Sequence, residues 1–362
     1  MEPVGGDLLI ELAATGVTGR GAGRPVRCHD VQWTFTFPRL TPHRLREVSE
    51  KGRRVMRRIC FPAARSIEVV QVQEPAPVPG QLLVRTEAVG AGIALVRMLT
   101  TAGDRGESVR PGGEIVGTVV ALGPDVSGFK IGDRVGGVVF EDAYADLVLA
   151  APQLVSHVPA DVDAAAALAL VRGGLIGLSA LRAGHFTQGE SVLVTAAASG
   201  TGHLAVQLAK ALGAARVVAA VGSPDKAPFA RQCGADEVVT YSQPSWGEPV
   251  DLVLDGVGGD IVQRGVDALT PFGRLVAFSA GGGAVDAGSL LGGLKSVIGF
   301  SIGLVSREQP ELIDKRRAEL WELLATGQLR PQHIDFPLEQ IVNAIELVKT
   351  RSNLGRVVLR TS

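Results

Sequence analysis

The chain has little with which to hold nucleic acid. Its 362 residues include only two Tyr and three Trp, and the formal net charge is -1. That leaves few stacking platforms and no general field for a polyanion or an anionic bilayer, so neither nucleic acid nor a membrane is expected as partner. Cysteine is equally scarce. Cys28, Cys60 and Cys233 stand far apart, so they make neither a disulfide framework nor a paired metal knuckle, and a reducing cytoplasm is the expected location. No apolar run is expected to reach the roughly 18 residues of a membrane-spanning helix. No apolar segment precedes a cleavage site near the start, which argues against a secretory leader.

What the chain does have is glycine, 46 residues of it, within a composition that is 46% hydrophobic and 20% charged. That balance supports a sizeable core over about two domains. The glycine excess predicts tight turns and places of close backbone approach.

Residues 1–55 show no sustained period of 2 or 3.6 and gather Arg44, Arg46, Lys51, Arg53 and Arg54 near their end. They read as a disordered or loosely attached extension, with Met56 as the natural start. From there to about residue 160, short β-branched runs recur between Gly and Pro punctuation, which predicts a small β-barrel without long helices. Residues 161–185 turn rich in Ala and Leu and read as helical. Strands expected at 191–195, 216–221, 237–240, 251–254 and 273–278 then alternate with helices at 203–212 and 226–233. Such alternation predicts βαβ units and a doubly wound parallel sheet. Helices at 310–325 and 341–350 and a strand at 356–360 complete the pattern.

The sharpest motif follows the first of those parallel strands. An apolar run from Ser191 enters Gly200-Thr201-Gly202-His203-Leu204-Ala205 and continues as a helix. In a nucleotide-binding turn the first glycine permits the tight bend and the second lets backbone approach a pyrophosphate. The small third residue lets helix and strand pack closely, and the helix N-terminus faces the anion. The alternative is an ordinary strand-to-helix turn. Binders of the unphosphorylated dinucleotide end the second strand with an acidic residue. Here Val221 is followed by Gly222, Ser223, Pro224, Asp225 and Lys226. A hydroxyl and a cation suit a 2′-phosphate, so NADPH is the expected cofactor. The same residues also suit a helix start, with Ser223 as cap and Pro224 in the first position.

Taken in order, several motifs resemble the medium-chain dehydrogenase/reductase superfamily, in its zinc-independent quinone oxidoreductase (zeta-crystallin-like) and enoyl reductase branch. They are Pro111 to Val119, Gly128 to Val135, the loop Ala197 to Gly202, Cys233 to Val238, Val253 to Gly259, Gly273 to Val276 and Leu354 to Leu359. The resemblance spans about residues 56–362. It implies a Rossmann domain at 179–308 and a GroES-like β-barrel catalytic domain formed by 56–178 and 309–362. It also implies cofactor contacts from Gly200, Thr201 and Gly202 at the pyrophosphate, and from Gly222, Ser223, Lys226 and Tyr241 around the adenosine 2′-phosphate. Val257, Gly258, Phe278 and Ser279 would line the nicotinamide side, with Asn353 and Gly355 approaching from the catalytic domain. A homodimer is implied, formed by sheet edges near Gly273–Phe278 and the glycine-rich stretch after them. Residues 281–303 fit either an interface or a pocket wall.

Gly113 stands where zinc-dependent members carry His, and Glu114 alone cannot complete a three-ligand site. No metal is expected, and Glu114 reads as a structural polar contact. The substrate side departs from the family. Gly92 and Leu95 replace its Asn and Asp, and Ile176 and Leu178 lie in a segment usually more polar. These four would make an apolar pocket for a small hydrophobic substrate. Tyr144 and Arg97 are the candidate catalytic groups, with Thr100 and Thr101 as further polar candidates. Tyr144 could instead serve packing, and Arg97 solvation or an ion pair. The implied reaction is NADPH-dependent, metal-free hydride transfer to a quinone or conjugated enone, including a polyketide-type intermediate. The alternatives are a non-redox cyclisation or dehydration on the same fold, and a redox-sensing binding module.

Overall fold

The computed structural model describes residues 55–62, 66–278 and 281–361. The expectations for the N-terminal extension through residue 54 lie outside them, as does the call on Ser279.

Two large sheets organise the described residues. The first has six strands, all paired in parallel, in the order Glu237–Thr240, Arg216–Val221, Ser191–Val194, Val250–Asp255, Leu269–Ala277 and Ser296–Gly299. The chain starts in the middle, winds outward one way, then crosses and winds the other way. The order therefore reverses between Ser191–Val194 and Val250–Asp255, and the crevice beyond their carboxyl ends is where such sheets bind ligands. Both strands are apolar throughout their centres because helices cover both faces. Val192, Val194, Leu252 and Leu254 lie in one buried cluster, and Leu193 and Val253 in another.

Two expectations are corrected here. The strand expected at 273–278 spans Leu269–Ala277 and lies inside the sheet, so it is not the edge. The edge beside it is Ser296–Gly299, a short strand with a largely exposed face that gave no clear alternating signal.

The second sheet has seven strands. Six run in the order His333–Pro337, Arg356–Arg360, Leu82–Ala91, Gly113–Leu122, Arg134–Val139 and Val155–His157, while Leu147–Ala150 pairs with Leu82–Ala91. All these pairs are antiparallel except the first. Alternating β-branched residues turn one side inward, where Leu82, Val84, Val89, Ile115 and Val135 are buried. A separate hairpin, Val55–Cys60 with Glu68–Gln73, precedes this sheet in sequence.

The absence of long helices from this part was a wrong expectation. Ile93–Arg105 is a 13-residue helix ending at Gly106 in left-handed conformation. Leu95, Val96, Leu99 and Ala102 lie on one side at helical spacing, and the first three join the core of the antiparallel sheet.

Residues 164–183 form a continuous helical run that is long and apolar enough to cross a membrane, contrary to the expected absence of such a run. Most of it is buried inside the protein. Asp163 starts it by accepting from the Ala165 and Ala166 amides at 2.9 and 3.1 Å. Its middle, Ala169–Gly174, is a π turn. Packing crosses the expected boundaries at 178 and 309. Leu170, Leu175 and Leu178 share a core cluster with Ile313 and Leu320 of the helix Pro310–Ala325 and with the parallel sheet. Each such leucine removed from water contributes about 1.5–3 kcal/mol.

Candidate active site

The two strands at the reversal point are tied together beyond their ends. The Thr195 hydroxyl donates to Asp255 Oδ1 at 2.9 Å and accepts from the Gly256 amide at 2.9 Å. The buried Asp255 carboxylate also accepts from the Val257 and Gly258 amides at 3.2 and 3.0 Å. Val257 and Gly258 are thereby fixed at the mouth of the crevice. The Phe278 ring stands 3.0 Å from where a Cβ on Gly256 would lie.

After Thr195 the chain turns at Ala196, whose φ is 48°. The Ala196 amide donates to the Tyr241 hydroxyl at 2.6 Å, which in turn donates to the Ala220 carbonyl at 3.3 Å. Burial pushes the Tyr241 phenol up to about 12, so it remains a neutral strut. Its hydroxyl is engaged with the loop, which assigns Tyr241 a positioning contact that the expected 2′-phosphate role did not include.

Gly202 opens the helix Gly202–Ala211. A Cβ there would fall 2.0 Å from the Ala196 carbonyl oxygen, a separation that only glycine can accommodate. The Gly202 amide donates to Ser199 Oγ at 3.0 Å. His203 is buried beneath the loop, with Nδ1 2.8 Å from the Ser199 carbonyl and Nε2 accepting from the Gln332 amide at 3.0 Å. Gly355 donates to the Ala198 carbonyl at 2.9 Å and Asn353 Nδ2 donates to the Gly355 carbonyl at 2.9 Å. Ser199 and Gly355 form a parallel bridge. Gly355 therefore reaches the loop through backbone, and the Asn353 side chain holds Gly355.

At the end of the second parallel strand, a Cβ on Gly222 would meet nothing within 4 Å. Ser223 stands at the cap position with extended backbone, but makes no cap hydrogen bond. Its hydroxyl instead bonds the Asp225 carboxylate, holding that group below the usual carboxylate range. The Lys226 ammonium donates to the Arg351 carbonyl. Burial lowers the Lys226 pKa, and the nearby Arg351 charge lowers it further. Two cations, Lys226 and Arg351, thus stand near one another, an arrangement suited to a phosphate.

The other wall of the crevice holds a group that the sequence did not reveal. Arg356 Nη2 lies 2.7 Å from Glu114 Oε2, and Arg172 Nε lies 3.3 Å from Glu114 Oε1. Burial alone would raise the Glu114 carboxyl, but the Arg356 charge, and then the Arg172 charge, hold it below its ordinary value. Gly90 and Gly92 make the room. A Cβ on Gly90 would fall 1.9 Å from Arg356 Nη2, and one on Gly92 3.1 Å from Nη1. The Arg356 stem also passes the phosphate loop, 3.1 Å from the Cβ position of Gly200. Glu114 makes the polar contact expected of it, with two guanidinium partners.

The candidate substrate residues separate. Leu95 and Leu178 are packed into the two main cores. Ile176 is half-buried and Arg97 is exposed on its helix. Thr100 donates back to the Val96 carbonyl at 2.9 Å, and Thr101 is exposed. Tyr144 is buried and donates to the Gly90 carbonyl at 3.0 Å. Burial drives its phenol well above the usual range, so its visible task is to hold the strand beside Arg356. Gly113 faces Ala143 and Tyr144. Among the described residues no three His, Cys, Asp or Glu side chains converge as a metal site requires.

The chain is similar to known proteins. Residues 78–153 match the alcohol dehydrogenase GroES-like domain, and residues 200–317 match the zinc-binding dehydrogenase domain. A quinone oxidoreductase of Pseudomonas aeruginosa is 32% identical over 330 residues, covering 84% of this chain and 99% of its own. Quinone oxidoreductase-like protein 2 of Mus musculus is 31% identical over 307 residues, covering 80% and 88%. A mycobacterial protein solved in complex with NADPH is 28% identical with a TM-score of 0.75, covering 84% of this chain and 99% of its own. With the glycine loop, the reversed parallel sheet and the antiparallel barrel strands all in place, this chain belongs to the medium-chain dehydrogenase/reductase superfamily, in its quinone oxidoreductase branch.

Proposed function

We propose that this protein is an NADPH-dependent reductase of a quinone or a conjugated enone. One observation supports this above others: the Arg356 side chain lies against the Gly200–Gly202 loop, while two cations, Lys226 and Arg351, stand near one another. Helix-end amides and Arg356 suit a pyrophosphate, and the second pair of cations suits the additional 2′-phosphate. The relatives point the same way, one named a quinone oxidoreductase and one solved with NADPH. The loop residues would bind the dinucleotide, Asp255 would hold Val257 and Gly258 against its nicotinamide end, and Phe278 would exclude water there.

When bound, the dinucleotide supplies a hydride to an electrophilic carbon, the displaced electron pair rests on the substrate's oxygen, and a proton from water completes the reduction. The substrate is then defined by a carbonyl oxygen next to a cationic wall. The chain would divide at about residues 178 and 308, with the helices 164–183 and Pro310–Ala325 packed across the division, and the exposed edge Ser296–Gly299 would pair two copies into a dimer.

The test is loss of NADPH absorbance with a panel of quinones and enones. Product formed without NADPH consumption would instead favour a non-redox step. Lys226→Met and Arg351→Met should each weaken NADPH by about tenfold or more, the loss of one charge-assisted bond, and leave NADH nearly unchanged. Equal losses for both dinucleotides would remove the 2′-phosphate assignment.

A further inference from the structure

The reaction proposed above needs a donor at the substrate oxygen where negative charge collects, and two of the groups first considered for it are otherwise engaged. Tyr144 donates to Gly90 and Thr100 donates to Val96, while Arg97 lies on the exposed side of the helix Ile93–Arg105. Arg172 meets the requirement. It sits within the π turn Ala169–Gly174, a type of helix irregularity found often at functional sites. The next residue, Gly173, lies so close to the phosphate loop that a Cβ would stand 2.9 Å from the Gly200 carbonyl oxygen. The π turn therefore sets Arg172 at the border between the dinucleotide loop and the barrel wall.

Arg172 Nε lies 3.3 Å from Glu114 Oε1, and its guanidinium carries two Nη groups that are further donors. Of the three charged side chains, Arg356 and Glu114 are 14% and 13% exposed, while Arg172 is 38% exposed. Arg172 is thus the member open to a small molecule. Two guanidiniums share one carboxylate, so these three side chains together carry one net positive charge.

We propose that Arg172 is the oxyanion-stabilising residue, donating from its Nη groups to the acceptor's carbonyl oxygen, with Glu114 as its positioning partner. This rests on the reductase reading. The guanidinium gives up no proton. It holds the oxygen that receives the electron pair when the new C–H bond forms, and water supplies the closing proton. The substrate class narrows accordingly to planar acceptors whose carbonyl oxygen can take a forked pair of hydrogen bonds, namely quinones and enones.

The test uses the full chain and Arg172→Gln, with Arg172→Lys as the variant that keeps the charge without the fork. Without any dinucleotide, 4-nitrophenol serves as a mimic of the reduced, oxyanionic state, and its visible band reports the bound phenolate. Wild type should bind the phenolate and lower its protonation midpoint. Arg172→Gln should lose at least about tenfold in phenolate affinity, together with the midpoint shift, and Arg172→Lys should fall between. With NADPH and an accepted quinone, kcat of Arg172→Gln should drop about 100-fold to 1000-fold, as for loss of an oxyanion donor, while NADPH affinity stays within about twofold. Phenolate binding and kcat both within about twofold of wild type would overturn the assignment to Arg172. Failure of wild type to consume NADPH with any acceptor would overturn the reductase reading instead, and the phenolate measurement would still decide whether Arg172 holds an oxyanion. If Arg172→Gln does not fold, the same comparison is made on Arg172→Lys, where unchanged phenolate binding and unchanged kcat overturn the proposal.

Discussion

His203 should set part of the acid limit of this protein. The ring is buried beneath the phosphate loop, and both nitrogens are committed. The Ser199 carbonyl, 2.8 Å from Nδ1, can only accept, and the Gln332 amide, 3.0 Å from Nε2, can only donate. The neutral ring with its proton on Nδ1 satisfies both. A second proton would point Nε2 at another donor inside the core. Burial accordingly lowers the His203 pKa from 6.5 to about 4. The unfolded chain binds this proton below pH about 6.5, while the folded chain refuses it until pH about 4. The stability is therefore fully present above the unfolded value and is lost as pH falls through that window. At about 1.4 kcal/mol per pH unit for one proton, the total comes to about 3 kcal/mol. Urea unfolding of wild type and His203→Gln, compared from pH 7.5 to 4.5, isolates the term. The variant should be less stable at neutral pH, and the gap should close on acidification as wild type alone takes up the extra proton on unfolding. Parallel stability curves across that range would refute the reasoning.

Gly202→Ala should leave the sheet folded but raise the NADPH dissociation constant about tenfold to 100-fold by calorimetry, because the new methyl group would meet the Ala196 carbonyl 2.0 Å away. Unchanged affinity would mean that the loop does not approach the phosphates. Tyr144→Phe removes one neutral hydrogen bond to the buried Gly90 carbonyl and should cost about 1–3 kcal/mol of stability, with kcat changed less than about tenfold. A thousandfold fall in kcat at unaltered melting temperature would restore Tyr144 as a proton donor.

Much of the parallel half was legible because its signals are local. A buried run, a glycine turn and a helix follow each other within a few residues at Ser191–Ala211, and each step has one physical meaning. The strands Arg216–Val221 and Glu237–Thr240 were readable for the same reason. The helix Ile93–Arg105 is short of local signals: Gly92 caps it without a side-chain bond, no acidic residue opens it, and its buried face of Leu95, Val96 and Ala102 is narrow. Arg356 lay inside a motif that was read, yet its role depends on Glu114, 242 residues away. Arg172 gave no sign at all, since a π turn leaves no mark in composition. Long-range charge pairing and backbone irregularity are properties of the folded chain, and no window of sequence carries them.

The strand Leu82–Ala91 pairs along its first half with Leu147–Ala150 and along its second with Val357–Arg360. During synthesis that second half must wait, one side unsatisfied, until residues near 360 have left the ribosome. The parallel sheet, whose strands lie between Ser191 and Gly299, can assemble meanwhile. The late arrival of a few residues therefore closes the antiparallel sheet and sets Arg356 beside Glu114 in the same movement. A nascent chain stalled shortly before that point would expose an open sheet edge and invite aggregation.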